Sequence, residues 1–127
     1  MATSTIPNPS AQGTRTLTNV SITSTDARFK SASSSVSAYQ TGQVVQVYVA
    51  TRWDFSGTNL SEGDDVPFTL TGIPTPVNVA HDITPHSSRI FYCALSANKS
   101  GYFRLMKGSE ASDNAPIGAA WVYVTAD

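Results

Sequence analysis

One cysteine, two histidines and a charged fraction of 13% in 127 residues leave many chemistries without material. Cys93 has no second cysteine to pair with, so an intrachain disulfide and a multi-cysteine zinc site are both excluded. It lies in the apolar run Ile90–Leu95, which predicts a buried, inert thiol. A nucleophilic thiol would want a histidine partner and a positive setting, and the local sequence supplies neither. Lys and Arg number 8 against 9 Asp and Glu, a net charge of −1. That balance offers no basic stripe to neutralise phosphates, so nucleic acid is not an expected partner. No stretch approaches the ~20 apolar residues of a membrane span, so membrane insertion is not expected. The opening Met-Ala-Thr-Ser-Thr lacks the basic segment and apolar core of a signal peptide, which argues against the general secretion route. A phosphate-binding glycine loop and a Gly-x-Ser-x-Gly elbow are also missing. Neither an enzyme nor a cofactor is expected.

What the chain does have is β-forming material. Hydrophobic residues make up 40%, enough for a core and against disorder. One domain of this size buries roughly two-thirds of the surface its unfolded chain exposes. The strongest stretch is Tyr39–Trp53, rich in the Val, Tyr, Thr and Trp that suit a pleated sheet. Thr41-Gly42 opens it as a turn, so Ser35–Gln40 is expected to fold back as a hairpin partner. Alternation puts Val45, Val47, Val49, Thr51 and Trp53 on the core face and Val44, Gln46, Tyr48, Ala50 and Arg52 on a mixed face.

Residues 1–14, with Pro7 and Pro9, read as an extended arm suited to contact with another subunit, and residues 15–127 as the folded domain. Arg15–Thr23 suggests one or two short strand pieces and Thr25–Arg28 a turn. Ser31–Ser35 reads as a weak paired strand rather than a linker. A loop of turn-forming residues, Asp54–Asp65, is long enough to suggest function. Val66–Thr71 is the next strand, and Pro74 and Pro76 mark an edge or exit. Val77–Asp82 reads as a short strand and Ile83–Ser88 as a turn. Arg89–Leu95 and Gly101–Lys107 form a hairpin, with Phe103 and Leu105 on one face and Tyr102, Arg104 and Met106 on the other. Gly118–Thr125 closes the chain. No helical period persists. The pattern predicts an all-β, antiparallel, jelly-roll-like sandwich of about 7–9 short strands.

Three constellations remain. His81-Asp82 with His86 is a poor metal set, because the spacing matches no helix face and no third ligand is near. Glu62-Gly-Asp-Asp65 fits neither a glycosidase pair nor an EF-hand and reads as a solvated turn. Aromatics with polar neighbours are better represented: Trp53-Asp54, Tyr92, Tyr102 with Arg104, and Trp121 with Tyr123. Either they pack the core and subunit interfaces, or their rings cover the apolar side of a sugar while Asp, Arg and His bridge its hydroxyls. Three sequons, at Asn19, Asn59 and Asn98, are not expected to be modified without an export signal.

The order of segments from residue 35 onward carries a resemblance. A Ser-rich strand, Tyr39-Gln-Thr-Gly and Val44-Val-Gln-Val-Tyr-Val are followed by a polar loop and Thr69-Leu-Thr-Gly-Ile-Pro-Thr-Pro76. Then come Phe91-Tyr-Cys-Ala-Leu, Gly101-Tyr-Phe-Arg-Leu and Ala119-Ala-Trp-Val-Tyr-Val-Thr125. This resembles the C-terminal head domains of tail-tip and baseplate receptor-binding proteins from phages of Gram-positive bacteria. The resemblance implies a homotrimer of sandwich heads on a virion tail tip, baseplate or capsid surface, assembled in the host cytoplasm. It also implies binding of host cell-surface polysaccharide without cleavage. The N-terminal arm is expected to contact other virion proteins. Two alternatives stand beside this reading: a decoration, head-fibre or spacer protein binding only other virion subunits, and a carbohydrate-binding module. The expected saccharide contacts are Trp53 and Asp54 at a strand end, with His81, Tyr102 and Arg104 from other segments; the competing reading of Trp53 is core.

Overall fold

The computed structural model describes residues 13–55, 58–86, 89–108 and 117–127. Its strands are β1 (Arg15–Leu17), β2 (Ser21–Thr23), β3 (Ser35–Thr41), β4 (Val44–Ala50), β5 (Asp65–Thr71), β6 (Ala80–His86), β7 (Arg89–Leu95), β8 (Ser100–Lys107) and β9 (Gly118–Val124). They form one sheet in the order β1-β3-β4-β9 and a second in the order β2-β5-β8-β7-β6. Every pairing is antiparallel. The protein is an all-β antiparallel sandwich, as the strand spacing predicts.

The β3–β4 hairpin forms as expected. Thr41 pairs with Val44, leaving a two-residue loop whose first member, Gly42, has φ +59°, a conformation cheap only for glycine. Beyond it the alternation holds, and Val45, Val47 and Val49 are buried. In the second sheet β6, β7 and β8 form a meander and β5 returns beside β8, a Greek key. At one side of the sandwich the edges β6 and β9 lie together; at the other, β2 lies near β3.

Between the sheets sits an aromatic core. Phe103 packs 4.8 Å from Phe68 and 5.9 Å from Trp53, centroid to centroid, and Phe68 lies 5.5 Å from Trp121. Both indoles keep a hydrogen-bond acceptor: Trp53 Nε1 donates to Thr51 Oγ1 at 2.7 Å, and Trp121 Nε1 to the Cys93 carbonyl at 3.1 Å. A buried indole N–H without such a partner would carry a desolvation cost, so Thr51 is held inside with Trp53. Cys93 is fully buried, and burial pushes its thiol far above the ordinary value, as an inert filler requires.

Of the two readings open for Trp121, core packing or sugar contact, the first holds: it is 1% exposed, because β9 turns its odd-numbered positions inward over Phe68. Some segments depart from the sequence reading. Ser31–Ser33 form a 3-10 turn, and β3 starts only at Ser35. Nothing large anchors that serine run to a neighbouring strand. β6 begins at Ala80 and runs through Pro85 and His86, where a turn was expected. It is an edge strand, where a missing proline N–H is tolerated. The arm over residues 1–14 lies outside the described residues except at its end, where the Thr14 hydroxyl bonds that of Thr41.

Candidate functional site

The outer face of the five-stranded sheet gathers the exposed chemistry. Alternation turns Asp65 of β5, His81 and Ile83 of β6, Tyr92 of β7, and Tyr102 and Arg104 of β8 outward, while Phe91, Phe103 and Leu105 fill the core. Register then places them side by side. One row across the sheet reads Asp65, Arg104, Tyr92, Ile83; the next reads Pro67, Tyr102, Ala94, His81. Gly101 makes the β7–β8 approach possible. A Cβ there would lie 1.8 Å from the Ala94 carbonyl oxygen, so no side chain fits beside Tyr102.

The side chains brace one another. Arg104 donates from Nε and Nη2 to the two carboxylate oxygens of Asp65, at 2.6 and 2.9 Å. The same guanidinium carbon stands 4.8 Å from the centre of the Tyr102 ring, a cation–π contact. Tyr92 lies 5.9 Å from Tyr102, and the His81 ring stacks at 5.6 Å from Tyr92, with its Nδ1 bonded to the Tyr92 hydroxyl. The result is a ridge from Asp65 to His81 with its rotamers held by neighbours. Hydrogen bonding to Asp65 raises Arg104 above its already high pKa, so it stays charged. Burial, then the Tyr102 phenol, pushes Tyr92 up, so its hydroxyl stays protonated near neutrality and can both donate and accept.

Beside the ridge, across the β5–β8 pair, runs an open groove of about 330 Å³. Hydroxyls from Thr23, Ser24, Thr25, Thr69 and Ser100 line it with Pro67, which pairs with Tyr102. Its volume falls at the lower end of small-ligand clefts. Chemically, ridge and groove offer many neutral donors and acceptors, one compensated charge pair and apolar ring edges. No serine, threonine or cysteine bonded to a histidine is among these contacts. Among the described residues no group of three or more His, Cys, Asp and Glu could hold a metal ion, and no helix is long and apolar enough to cross a membrane.

The five expected contact residues divide. His81, Tyr102 and Arg104 come together on this face. Trp53 does not: it is 0% exposed, 5.1 Å from Phe29 and 5.5 Å from Phe55, so the core reading of this residue replaces the rim reading. The loop after it packs Phe55 and Leu60 inward and so closes over the indole instead of leaving it at a rim. Asp54 is half-buried at the start of that loop, its N–H donating to the Arg28 carbonyl at 2.8 Å. Sequence reasoning missed Asp65, taken as part of a solvated turn, and the hydroxyl groove. Asp65 is the first residue of β5, and only the β5–β8 register, which no local pattern encodes, sets it against Arg104. Glu62 and Asp64 do serve the turn, accepting from the Gly108 and Ser61 amides.

These features define a β-sandwich that carries a braced polar-aromatic ridge and a hydroxyl-lined groove on one sheet. Comparison with known protein families, curated proteins and solved structures gave no match.

Proposed function

We propose that this protein is a non-enzymatic saccharide-binding protein of a phage virion, taking host-envelope polysaccharide on the outer face of the five-stranded sheet. The observation that carries the saccharide reading is the ridge of His81, Tyr92, Tyr102, Arg104 and Asp65 beside the Thr/Ser groove. A sugar presents an apolar ring face edged by hydroxyls, and this surface offers ring edges beside hydroxyls, a carboxylate and a guanidinium. Because Arg104 is already neutralised by Asp65, the match is to a neutral sugar rather than to a strongly anionic one. Placement on a virion is supported by the resemblance of the strand order to phage receptor-binding heads. The main rival, a decoration protein binding only virion subunits, predicts no affinity for any glycan.

Calorimetric titration with a panel of purified Gram-positive envelope polysaccharides tests it. The wild-type chain should bind at least one without changing its length. Tyr102→Ala should weaken that binding about tenfold, taking the low end of ~1–3 kcal/mol for a ring contact by analogy with base stacking. Absence of binding across the panel, or binding indifferent to Tyr102→Ala, would sink the reading.

A further inference from the structure

We infer that the outer face of the four-stranded sheet is an interface between two copies of this chain, packed face to face about a twofold axis. The inference does not rest on the saccharide reading, which concerns the opposite face.

Strands β3, β4 and β9 contain no Asp, Glu, Lys, Arg or His. Val44 and Tyr48 of β4 and Val122 and Val124 of β9 point outward with 42–62% of their surface exposed. Val77 and Val79 extend the patch beyond β9, where they line one groove with Val122 and Val124 and are 51% and 47% exposed. Together the six present on the order of 500 Å² of surface, near the top of what the largest patch of a monomer shows. Adding the neutral rim of Ser37, Tyr39, Gln46 and Ala120 brings the face toward the roughly 800 Å² that each partner gives a standard interface.

Charge and shape choose the occupant. A twofold contact sets a patch against its own copy, so a patch of one charge sign would repel itself. Strands β3, β4 and β9 carry no charge, and Arg52 beyond β4 and Asp82 at the Ala120 N–H stand at the margin of the face. Twisted sheets stack face to face at about −30°, which would bury the valines of one copy against those of the other. A threefold ring, implied by the resemblance, needs two different matching surfaces. Among the described residues the other exposed large apolar side chains of the sandwich faces are Ile83, single in the ridge row beside Tyr92, and Ile90 and Met106, a pair beside Arg89 and Lys107, and neither group matches a valine face in extent. Edge-to-edge pairing through β9 is hindered as well. The Ala120 N–H already donates to Asp82 at 2.9 Å, and the Val124 carbonyl accepts from Val77 at 2.9 Å.

Light scattering on the full chain at about 100 µM should give about 27 kDa, twice the 13.5 kDa of one chain. Val122→Glu changes an exposed position, so its circular dichroism should match the wild type while two facing carboxylates weaken the dimer about a hundredfold or more. Met106→Glu, on the other sheet, should leave the dimer intact. A monomer at that concentration, a mass of three chains, a dimer that survives Val122→Glu, or one that Met106→Glu dissociates would each overturn the inference.

Discussion

The two outer faces of this sandwich are built by the same alternation and end in opposite chemistry. On β3, β4 and β9 the outward positions are small, aliphatic, aromatic or neutral polar, and no charge appears in the three strands. On β5 to β8 the outward positions hold Asp65, His81, Tyr92, Tyr102 and Arg104, most of them touching a neighbour. An apolar face left in water costs free energy that only another surface can relieve. The ridge, whose polar atoms are partly satisfied by one another, is stable uncovered and remains open to a small hydrated ligand. The first face is the one we propose for assembly and the second the one we propose for recognition, and they share a single core.

That shared core is where the comparison breaks most violently. Trp53 follows β4 in the chain yet packs on Phe103, whose strand carries the ridge. Trp53→Ala should therefore lower stability by about 3–5 kcal/mol in a urea titration. Both faces should fail in one transition, with glycan binding lost only as the protein unfolds. A variant that melts like the wild type but no longer binds would return Trp53 to a rim site.

How much of this was legible in the sequence follows from which patterns are local. Alternation is local, so Val45, Val47 and Val49 inside, and Tyr102 and Arg104 opposite Phe103 and Leu105, could be read from one strand at a time. The hairpin at Gly42 was equally local. Pairing between distant strands was not: nothing near Asp65 announces that Arg104, 39 residues on, lies opposite it. Trp53 shows a conflict of two local signals. Its phase with Val47 and Val49 said core, its place before a long loop said rim, and the tertiary packing of Phe29 and Phe55 decided for the core.

The seam between the halves offers a smaller perturbation. Asp82 belongs to β6 but accepts the outward N–H of Ala120 on β9, tying the edge of one sheet to the edge of the other. Asp82→Ala should cost about 1–2 kcal/mol, the scale for a hydrogen bond to a charged group that is partly solvated. It also bares a strand edge, so the variant should aggregate more readily on partial unfolding, as measured by light scattering through the melt. Asp82→Asn keeps an acceptor oxygen and should recover most of the loss. Equal losses in both variants would assign the contribution to charge rather than to the hydrogen bond.

Acid sharpens the contrast by the least energy. β3, β4 and β9 have no carboxylate to protonate, whereas the connection leading out of β2 holds Asp26, whose carboxylate accepts from the Arg28 backbone N–H, Nε and Nη2 at 2.8–3.0 Å. The hydrogen bond from the Arg28 side chain, the largest cause, holds Asp26 below its ordinary value of 3.8 against an opposing effect of burial. A carboxyl that ionises more readily folded than unfolded contributes fully above its unfolded pKa and loses that contribution as pH falls through the lower folded one. Arg28 also reaches the Asn59 carbonyl at 3.2 Å and Asp64 at 4.0 Å, so the pair fastens the Asp54–Asp65 loop. The group is partly solvated, so the contribution should stay within about 1 kcal/mol. Wild type and Asp26→Asn should accordingly differ in urea midpoint at pH 7 and converge as the pH drops below about 4. Hydrogen exchange under the same acid should loosen the connection around Arg28 before the β3–β4 hairpin. A difference between the two proteins that persists unchanged into acid would mean that packing by the side chain, and not its ionisation, fastens the loop.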